Sequence, residues 1–341
     1  MTTRALRLAA EPDANAIRSA MTWLRLGTAT VSAAGLYLVL LYVAPSFSAT
    51  VIATALVYGA SELVNELSQS ILLGEDRTRA AAVTLLVRRL IPLGVLSFVL
   101  LIAPDLALQA ILASSVATTL ITLVVQRSLR FKPAPIVPLI AGSRHYWTQA
   151  LWSSLQQVDV LLVQVIMGSY AAGLYSAASR LLSPLALVTT SILGIFVPAM
   201  SRETNDAARW RIHRSSLRVV MYYSAGLVAA SPLVALVGPI VLGPTFAASW
   251  VLFVAFTVGA AINAICQVQF GLLFSVGQAR TASRASFLGT FLGLVALTLA
   301  ASTQSLSWLG VFPIVTFGAT LLAVAPALRR MKRDQDKSTD Q

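Results

Sequence analysis

Long runs of apolar residues alternate with short polar stretches along the whole chain. A helix needs about 20 apolar residues to cross a bilayer core of about 30 Å. In the third such run, Arg88 and Arg89 precede a short uncharged stretch, and we expect both side chains to extend to the membrane interface. The pattern predicts ten transmembrane helices, at 27–46, 50–73, 86–104, 106–126, 147–168, 171–198, 219–242, 250–276, 286–303 and 307–328.

The composition supports an all-α, polytopic membrane protein and excludes several other classes. Of the 341 residues, 57% are hydrophobic and 11% are charged, whereas soluble domains have about 45–50% apolar and about 25% charged residues. The net charge of +12 could suggest nucleic acid as a partner, but the basic residues are dispersed in short loops instead of clustering on a domain. One cysteine, Cys266, and two histidines in separate loops predict neither a disulfide nor a metal site.

The basic residues divide unevenly between the two sets of loops. The N-terminal segment, every second loop and the C-terminal tail hold 24 of the 25 lysines and arginines, and the alternate loops hold none. The positive-inside rule therefore predicts a multi-pass protein with both termini in the cytoplasm. The excess of arginine over lysine is typical of a GC-rich bacterial genome, which indicates the bacterial cytoplasmic (inner) membrane. The other loops are too short for a catalytic domain and no Walker A motif is present, so we expect no enzyme activity.

Two charged residues lie deep inside predicted spans. Asp159 in the fifth span and Arg180 in the sixth are each about nine residues from the turn at Gly168 and Ser169, which places both about 14 Å below the outer surface. An aspartate and an arginine at matched depth on adjacent helices can neutralise each other, whereas an unpaired charge there is costly. The two residues form either a structural ion pair or part of a water-filled cavity for a charged or sugar-bearing substrate.

A second polar set follows one face of the second predicted span, at offsets of 4, 7, 8 and 11 from its first member. Such a face does not point at lipid, so it either lines a cavity or bonds neighbouring helices. Its two glutamates would repel each other if both were ionised, and one is therefore expected to hold a proton. The members are Tyr58, Glu62, Asn65, Glu66 and Gln69.

The stretch 146–203 holds an aspartate within a helix, a short turn, the residues Gly173, Tyr175, Ala178 and Arg180 at fixed spacing, and Pro198 before a basic loop. It resembles the seventh and eighth helices of polysaccharide flippases of the Wzx type, in the MOP (MATE-like) exporter superfamily. The family pattern is an aspartate within a helix, a short turn, G-x-Y-x-x-A-x-R, and a proline before the next basic loop. The segment 271–289 resembles the family's tenth helix running into its eleventh, and 68–83 resembles the end of the fourth helix with the loop that follows. The residues that match the first pattern are Asp159, Gly173, Tyr175, Ala178, Arg180 and Pro198.

The resemblance implies two helical lobes around a central cavity, with a first lobe that lacks its first two helices. Such a chain is a shortened member of the family, begins downstream of the true start, or pairs with a protein that supplies the missing helices. The domains expected on this basis are a cytoplasmic N-terminal segment at 1–26, a partial four-helix lobe at 27–126, a cytoplasmic linker at 127–146, a six-helix lobe at 147–328 and a cytoplasmic tail at 329–341.

The resemblance further implies transport by alternating access of a polyprenyl-pyrophosphate-linked oligosaccharide to the outer leaflet. Arg180 could attract the pyrophosphate, because guanidinium pairs well with phosphate oxygens. Glu62 and Glu66 could couple transport to protons or sodium, and no other cofactor is expected. The expected partners are the bilayer, the lipid-linked oligosaccharide and, as further candidates, polysaccharide polymerase or assembly proteins.

Three alternatives remain open. Three acids, Glu62, Glu66 and Asp159, against one buried base would suit a MATE-like efflux carrier for small cations or drugs. The missing helices favour a non-transporting membrane scaffold in cell-envelope polysaccharide assembly. A membrane glycosyltransferase is disfavoured by the short outer loops.

Overall fold

The computed structural model describes residues 5–6, 14–43, 48–126, 136–182 and 184–339. Within these ranges the chain forms α-helices joined by short turns, and no strand occurs. Eight of the described helical segments are long and apolar enough to cross a membrane. The protein is therefore a multi-pass, all-α membrane protein. Parts of the predicted N-terminal segment, linker and tail, at 1–4, 7–13, 127–135 and 340–341, lie outside the described residues.

The chain divides into two compact units, Met1–Ser143 and Arg144–Gln341. In the first unit α2 is central and packs against the other three long helices, while α3 also packs along α4. Met21, Leu67 and Ile71 form a fully buried core at one end of α1 and α2. The long helices of this unit are α1 (Ala14–Val43), α2 (Ala49–Gly74), α3 (Thr78–Ile102) and α4 (Ala107–Gln126).

The second unit is built around α10, which packs against α7, α8, α9 and α12. Its largest core surrounds Tyr175, whose ring lies edge-on to Phe256 with 5.1 Å between the ring centroids. The helices are α5 (Ile136–Leu155), which begins in the first unit, α6 (Asp159–Met167), α7 (Ser169–Leu182), α8 (Leu185–Arg202), α9 (Asp206–Leu242), α10 (Trp250–Ser275), α11 (Ala279–Ser302) and α12 (Val311–Thr339).

The same kind of turn joins α2 to α3 and α10 to α11. Asp76 has φ 63° and Gly277 has φ 81°, the left-handed conformation that ends many helices. After each, an amide donates back to a carbonyl in the last turn of the helix, from Arg77 to Leu72 at 2.8 Å and from Gln278 to Leu273 at 2.8 Å. Each turn therefore satisfies carbonyls at a helix end and reverses the chain tightly.

Two predicted spans differ from the helices that form. The sixth, 171–198, is wrong as a single helix, because α7 ends at Leu182 and α8 begins at Leu185, immediately after Pro184. Proline has no amide proton to donate to the preceding turn, and its ring displaces the carbonyl there. The second span does form one helix, α2, but its polar residues leave it outside the eight apolar segments.

Candidate functional site

A cavity of about 710 Å³, with both polar and apolar side chains in its wall, is lined by residues of the second unit. The helical chain passes from α5 into α6 through a 3₁₀ turn at Gln156–Val158, which turns amide side chains toward the cavity. A smaller cavity of about 210 Å³ shares Ser153, Gln156 and Asn263 with it. The polar groups that line the larger cavity include Ser153, Gln156, Gln157, Ser176, Ser179 and Asn263, and its aromatic rings are Phe256, Phe312 and Phe317.

Asp159 and Arg180 both line this cavity, as the sequence placed them at one depth. Asp159 is 6% exposed, and its carboxylate accepts hydrogen bonds from the Tyr175 hydroxyl at 2.9 Å and from the Val160 amide at 2.6 Å. The Arg180 side chain is exposed on the cavity wall. These two hydrogen bonds satisfy the buried carboxyl group.

Tyr175 is the partner of Asp159 that the sequence reasoning missed. Tyr175 is the tyrosine of the G-x-Y-x-x-A-x-R pattern, and its side chain is fully buried between Asp159 and Phe256. The signal that could have found it is depth, because Tyr175 lies about as far after the Gly168 turn as Asp159 lies before it.

We expect Tyr175→Phe to lower the stability of the protein by about 1.5–3 kcal/mol, since a buried carboxylate loses a hydrogen bond from a hydroxyl. Thermal unfolding of the purified protein in detergent measures the change. Tyr170→Phe is the matched control, because Tyr170 is on the same helix and 66% exposed. Equal unfolding temperatures for the two variants would show that the Tyr175–Asp159 bond contributes nothing.

In the first unit, two arginines of α3 lie close to a glutamate of α2. Arg88 is 7% exposed and donates to both carboxylate oxygens of Glu62, with its Nε at 2.8 Å from Oε1. A guanidinium nitrogen of Arg89 lies 3.7 Å from the same carboxylate. The expectation that Arg88 extends to the interface is wrong, because α3 begins at Thr78 and carries Arg88 ten residues inside the helix. Arg180 is therefore not the one basic residue within a span.

Glu66, the other glutamate of α2, also has an arginine nearby. Arg25 interacts electrostatically with Glu66, and its Nε donates to the Leu63 carbonyl at 3.2 Å. Arg25 lies within α1, inside a segment apolar enough to span. Each glutamate thus has its own guanidinium, which offsets the repulsion expected between them.

The polar face predicted on α2 is divided by the fold. Asn65 is 2% exposed and donates to the Thr119 hydroxyl of α4 at 3.2 Å, while Tyr58 is 40% exposed, Glu66 is exposed and Gln69 is half-buried. A groove of about 490 Å³ in the same unit is lined mainly by alanine, leucine and valine of α1 and α2. None of the five residues of the polar face, which also includes Glu62, is part of the lining of this groove. Asn65 joins two helices.

Comparison with known proteins identifies the family. A sequence profile of the family described as "Polysaccharide biosynthesis protein" matches residues 31–255, which is more than half of the chain. No curated protein matches the sequence in a direct search.

Solved structures of MATE and MOP transporters share the fold. A mutant of the Vibrio cholerae MATE transporter VcmN superposes with a TM-score of 0.77 at 16% identity, covering 97% of this chain and 83% of that one. A MOP superfamily transporter from Pyrococcus furiosus, described as having a binding pocket of reverse polarity, gives a TM-score of 0.73 at 15% identity, covering 97% and 82%. At such identities the likeness establishes the fold alone. With the family match, it follows that the chain belongs to the polysaccharide biosynthesis protein family and has the fold of the MATE and MOP transporters.

Proposed function

We propose that the protein flips a polyprenyl-pyrophosphate-linked oligosaccharide, or a related lipid-linked glycan, across the bacterial cytoplasmic membrane by alternating access. The observation that carries the proposal is the family match over residues 31–255, since the family is one of polysaccharide biosynthesis. The cavity of the second unit supplies the chemistry that such a cargo needs.

The cavity offers neutral hydrogen-bonding groups beside aromatic rings, a combination suited to sugars. The amides of Gln156, Gln157 and Asn263 can each donate and accept, as a sugar hydroxyl does. Phe256 and Phe317 add apolar surface against which the C–H faces of a sugar ring can pack. Arg180 on the same wall supplies a permanent positive charge for a phosphate group of the cargo.

The arrangement of the acids favours a glycan over a small cation. Glu62 is held by Arg88, Glu66 lies near Arg25, and Asp159 accepts bonds from Tyr175 and Val160. To bind a cation, one of these carboxylates would have to release its present partner and pair with the substrate. Releasing a buried partner is costly, because it leaves that partner unpaired. We therefore place the MATE-like efflux carrier second, and the non-transporting scaffold third.

The remaining features of the proposal follow from the loops. Apart from Arg88, Arg89 and Arg180, the basic residues lie outside the ten predicted spans and keep to alternate connecting segments, which supports cytoplasmic termini in the inner membrane. Coupling to protons or sodium, and contact with polymerase or assembly proteins, belong to the same proposal. No catalytic role is part of it.

The test uses a deletion strain of the host complemented with variants of the full chain. We expect the strain to accumulate one intact lipid-linked glycan, seen by mass spectrometry, and to lose the matching surface polymer. Arg180→Gln should restore export to about a tenth of the wild-type level or less, because the cargo loses a charge-assisted contact. Arg211→Gln, an exposed arginine on α9, should restore export fully.

Protein levels in the membrane are measured for both variants, so that loss of export is not loss of protein. An unchanged glycan pool in the deletion strain would contradict the proposal. Sensitivity of that strain to cationic drugs, reversed by the wild-type chain, would then favour the efflux carrier.

A further inference from the structure

The middle of α5 packs against the end of α10 and the first turns of α11. Tyr146 is 6% exposed, and its ring stacks on Phe274 with 5.5 Å between the centroids. The same apolar cluster contains Ala282 and Ala285 of α11, and both are buried. The residues just before Tyr146 are therefore held beside the first turns of α11.

Four cationic or ionisable side chains meet at this place. Arg144, Arg280 and Arg284 all act electrostatically on His145, and the Nε of Arg144 donates to the His145 ring at 3.3 Å. Arg280 and Arg284 are one helical turn apart and share a face of α11. All three arginines are exposed. We call these four residues the basic cluster.

The basic cluster lacks a described counter-charge. In the described parts of the chain, no ion pair of Arg144, Arg280 or Arg284 is seen, whereas Arg18, Arg88 and Arg209 each pair with an acid. Like charges held together repel, so an anion that binds between them relieves that repulsion. Trp147, 37% exposed, follows directly in α5, and tryptophan is enriched at the headgroup level of membranes.

A polar seam leads from the basic cluster to the cavity along α5 and α11. The hydroxyls of Thr148 and Ser283 are 2.7 Å apart, and two turns further the Gln156 amide donates to the Thr290 hydroxyl at 3.2 Å. Gln156 lines both cavities. The cluster and the cavity are thus about 18 Å apart along one helix, at about 1.5 Å per residue from Arg144 to Gln156.

We propose that the basic cluster is the site where the pyrophosphate of the lipid-linked substrate docks at the inner leaflet, before the glycan enters the cavity. The two arms of the cluster, Arg144 with His145 on α5 and Arg280 with Arg284 on α11, match the two phosphates of a pyrophosphate. A guanidinium group binds two oxygens of one phosphate. A pyrophosphate can therefore bind both arms of the cluster, whereas a bulk lipid with a single phosphate can bind only one arm. The identity of the lipid and the side of the membrane rest on the proposed function.

The test measures binding of a sugar-free polyprenyl pyrophosphate to the purified full chain in nanodiscs of phosphatidylcholine. We expect the double variant Arg280→Gln with Arg284→Gln to bind the probe at least about tenfold more weakly than the wild type. The matched control, Arg211→Gln with Arg214→Gln, removes two exposed arginines of α9 and should bind as the wild type does. Size-exclusion profiles establish that both double variants are folded.

Two competitors distinguish the possible sources of the phosphate. Phosphatidylglycerol should compete weakly, and inorganic pyrophosphate should compete at higher concentration than the lipid probe. Unchanged binding by the Arg280 and Arg284 variant, equal loss in the control, or equal competition by phosphatidylglycerol would each overturn the assignment. A strain that accumulates glycan while the variant binds normally would refute the docking site and leave the proposed function standing.

Discussion

Replacing Arg88 with leucine should cost the first unit about 3–5 kcal/mol, the typical penalty for removing one partner of a buried ion pair. Arg88 donates to both carboxylate oxygens of Glu62 while only 7% exposed, so the variant leaves a carboxylate inside the helices. Arg89, whose side chain is 52% exposed, is the remaining cation near Glu62 and is too distant at 3.7 Å for a hydrogen bond. The yield of monodisperse protein and its unfolding temperature in detergent measure the loss.

Arg89→Leu is the matched control, because it removes the neighbouring charge from a largely exposed position. It should cost at most about 1 kcal/mol, as exposed ion pairs do. The double variant Glu62→Leu with Arg88→Leu should regain most of the stability, since it leaves no unpaired charge. If the double variant is as unstable as Arg88→Leu, the ion pair is not the cause.

Replacing Gly293 with leucine should strongly destabilise the second unit. A side chain at Gly293 would overlap Thr316 of α12, and one at Gly289, a turn earlier on the same face, would overlap Thr320. Lipid tails are as apolar as the helices, so no hydrophobic driving force brings two helices together in the membrane. Helices therefore associate through close contacts of small residues such as these. We expect a cost of about 3 kcal/mol, the upper range for overpacking, seen as loss of monodisperse protein.

Gly226→Leu is the control for this substitution. Gly226 lies within α9, and a side chain built there meets no atom within 4 Å. The same change of residue should therefore leave the yield and unfolding temperature close to the wild-type values. A comparable loss for Gly226→Leu would mean that leucine harms these helices for reasons unrelated to the α11–α12 contact.

These expectations separate a structural role of charge from a transport role. Glu62 and Arg88 hold α2 to α3, so their single variants should lose protein before they lose transport. Arg180 lines the cavity with an exposed side chain, so its variant should lose transport while the protein remains. Protein amount and export must therefore be measured together.

The sequence was sufficient for the features that depend on composition and length. Runs of apolar residues predict membrane helices because the bilayer core requires about 20 of them in a row. The all-α membrane fold and the family resemblance are both confirmed. Counting residues outward from a turn assigns Asp159 and Arg180 to similar depths. In the structure both residues line one cavity.

The sequence predicted less well where each helix begins and ends. Arg88 was placed at an interface because an arginine pair usually ends an apolar run, yet α3 begins at Thr78 and encloses it. The apolar run of the sixth span continues through Pro184, although proline separates α7 from α8. Hydrophobicity does not record where backbone hydrogen bonding starts and stops, so both positions required the structure.

Partners across helices were decided only by the tertiary structure. Counting residues gives the depth of Asp159, and Tyr175 and Arg180 both lie near that depth on the following helix. That Tyr175 donates to the carboxylate depends on how far each helix is rotated about its axis, and the Tyr175 ring also packs edge-on against Phe256. The sequence by itself determined that these are membrane helices, whereas the packing of one helix against another determined which polar residues meet.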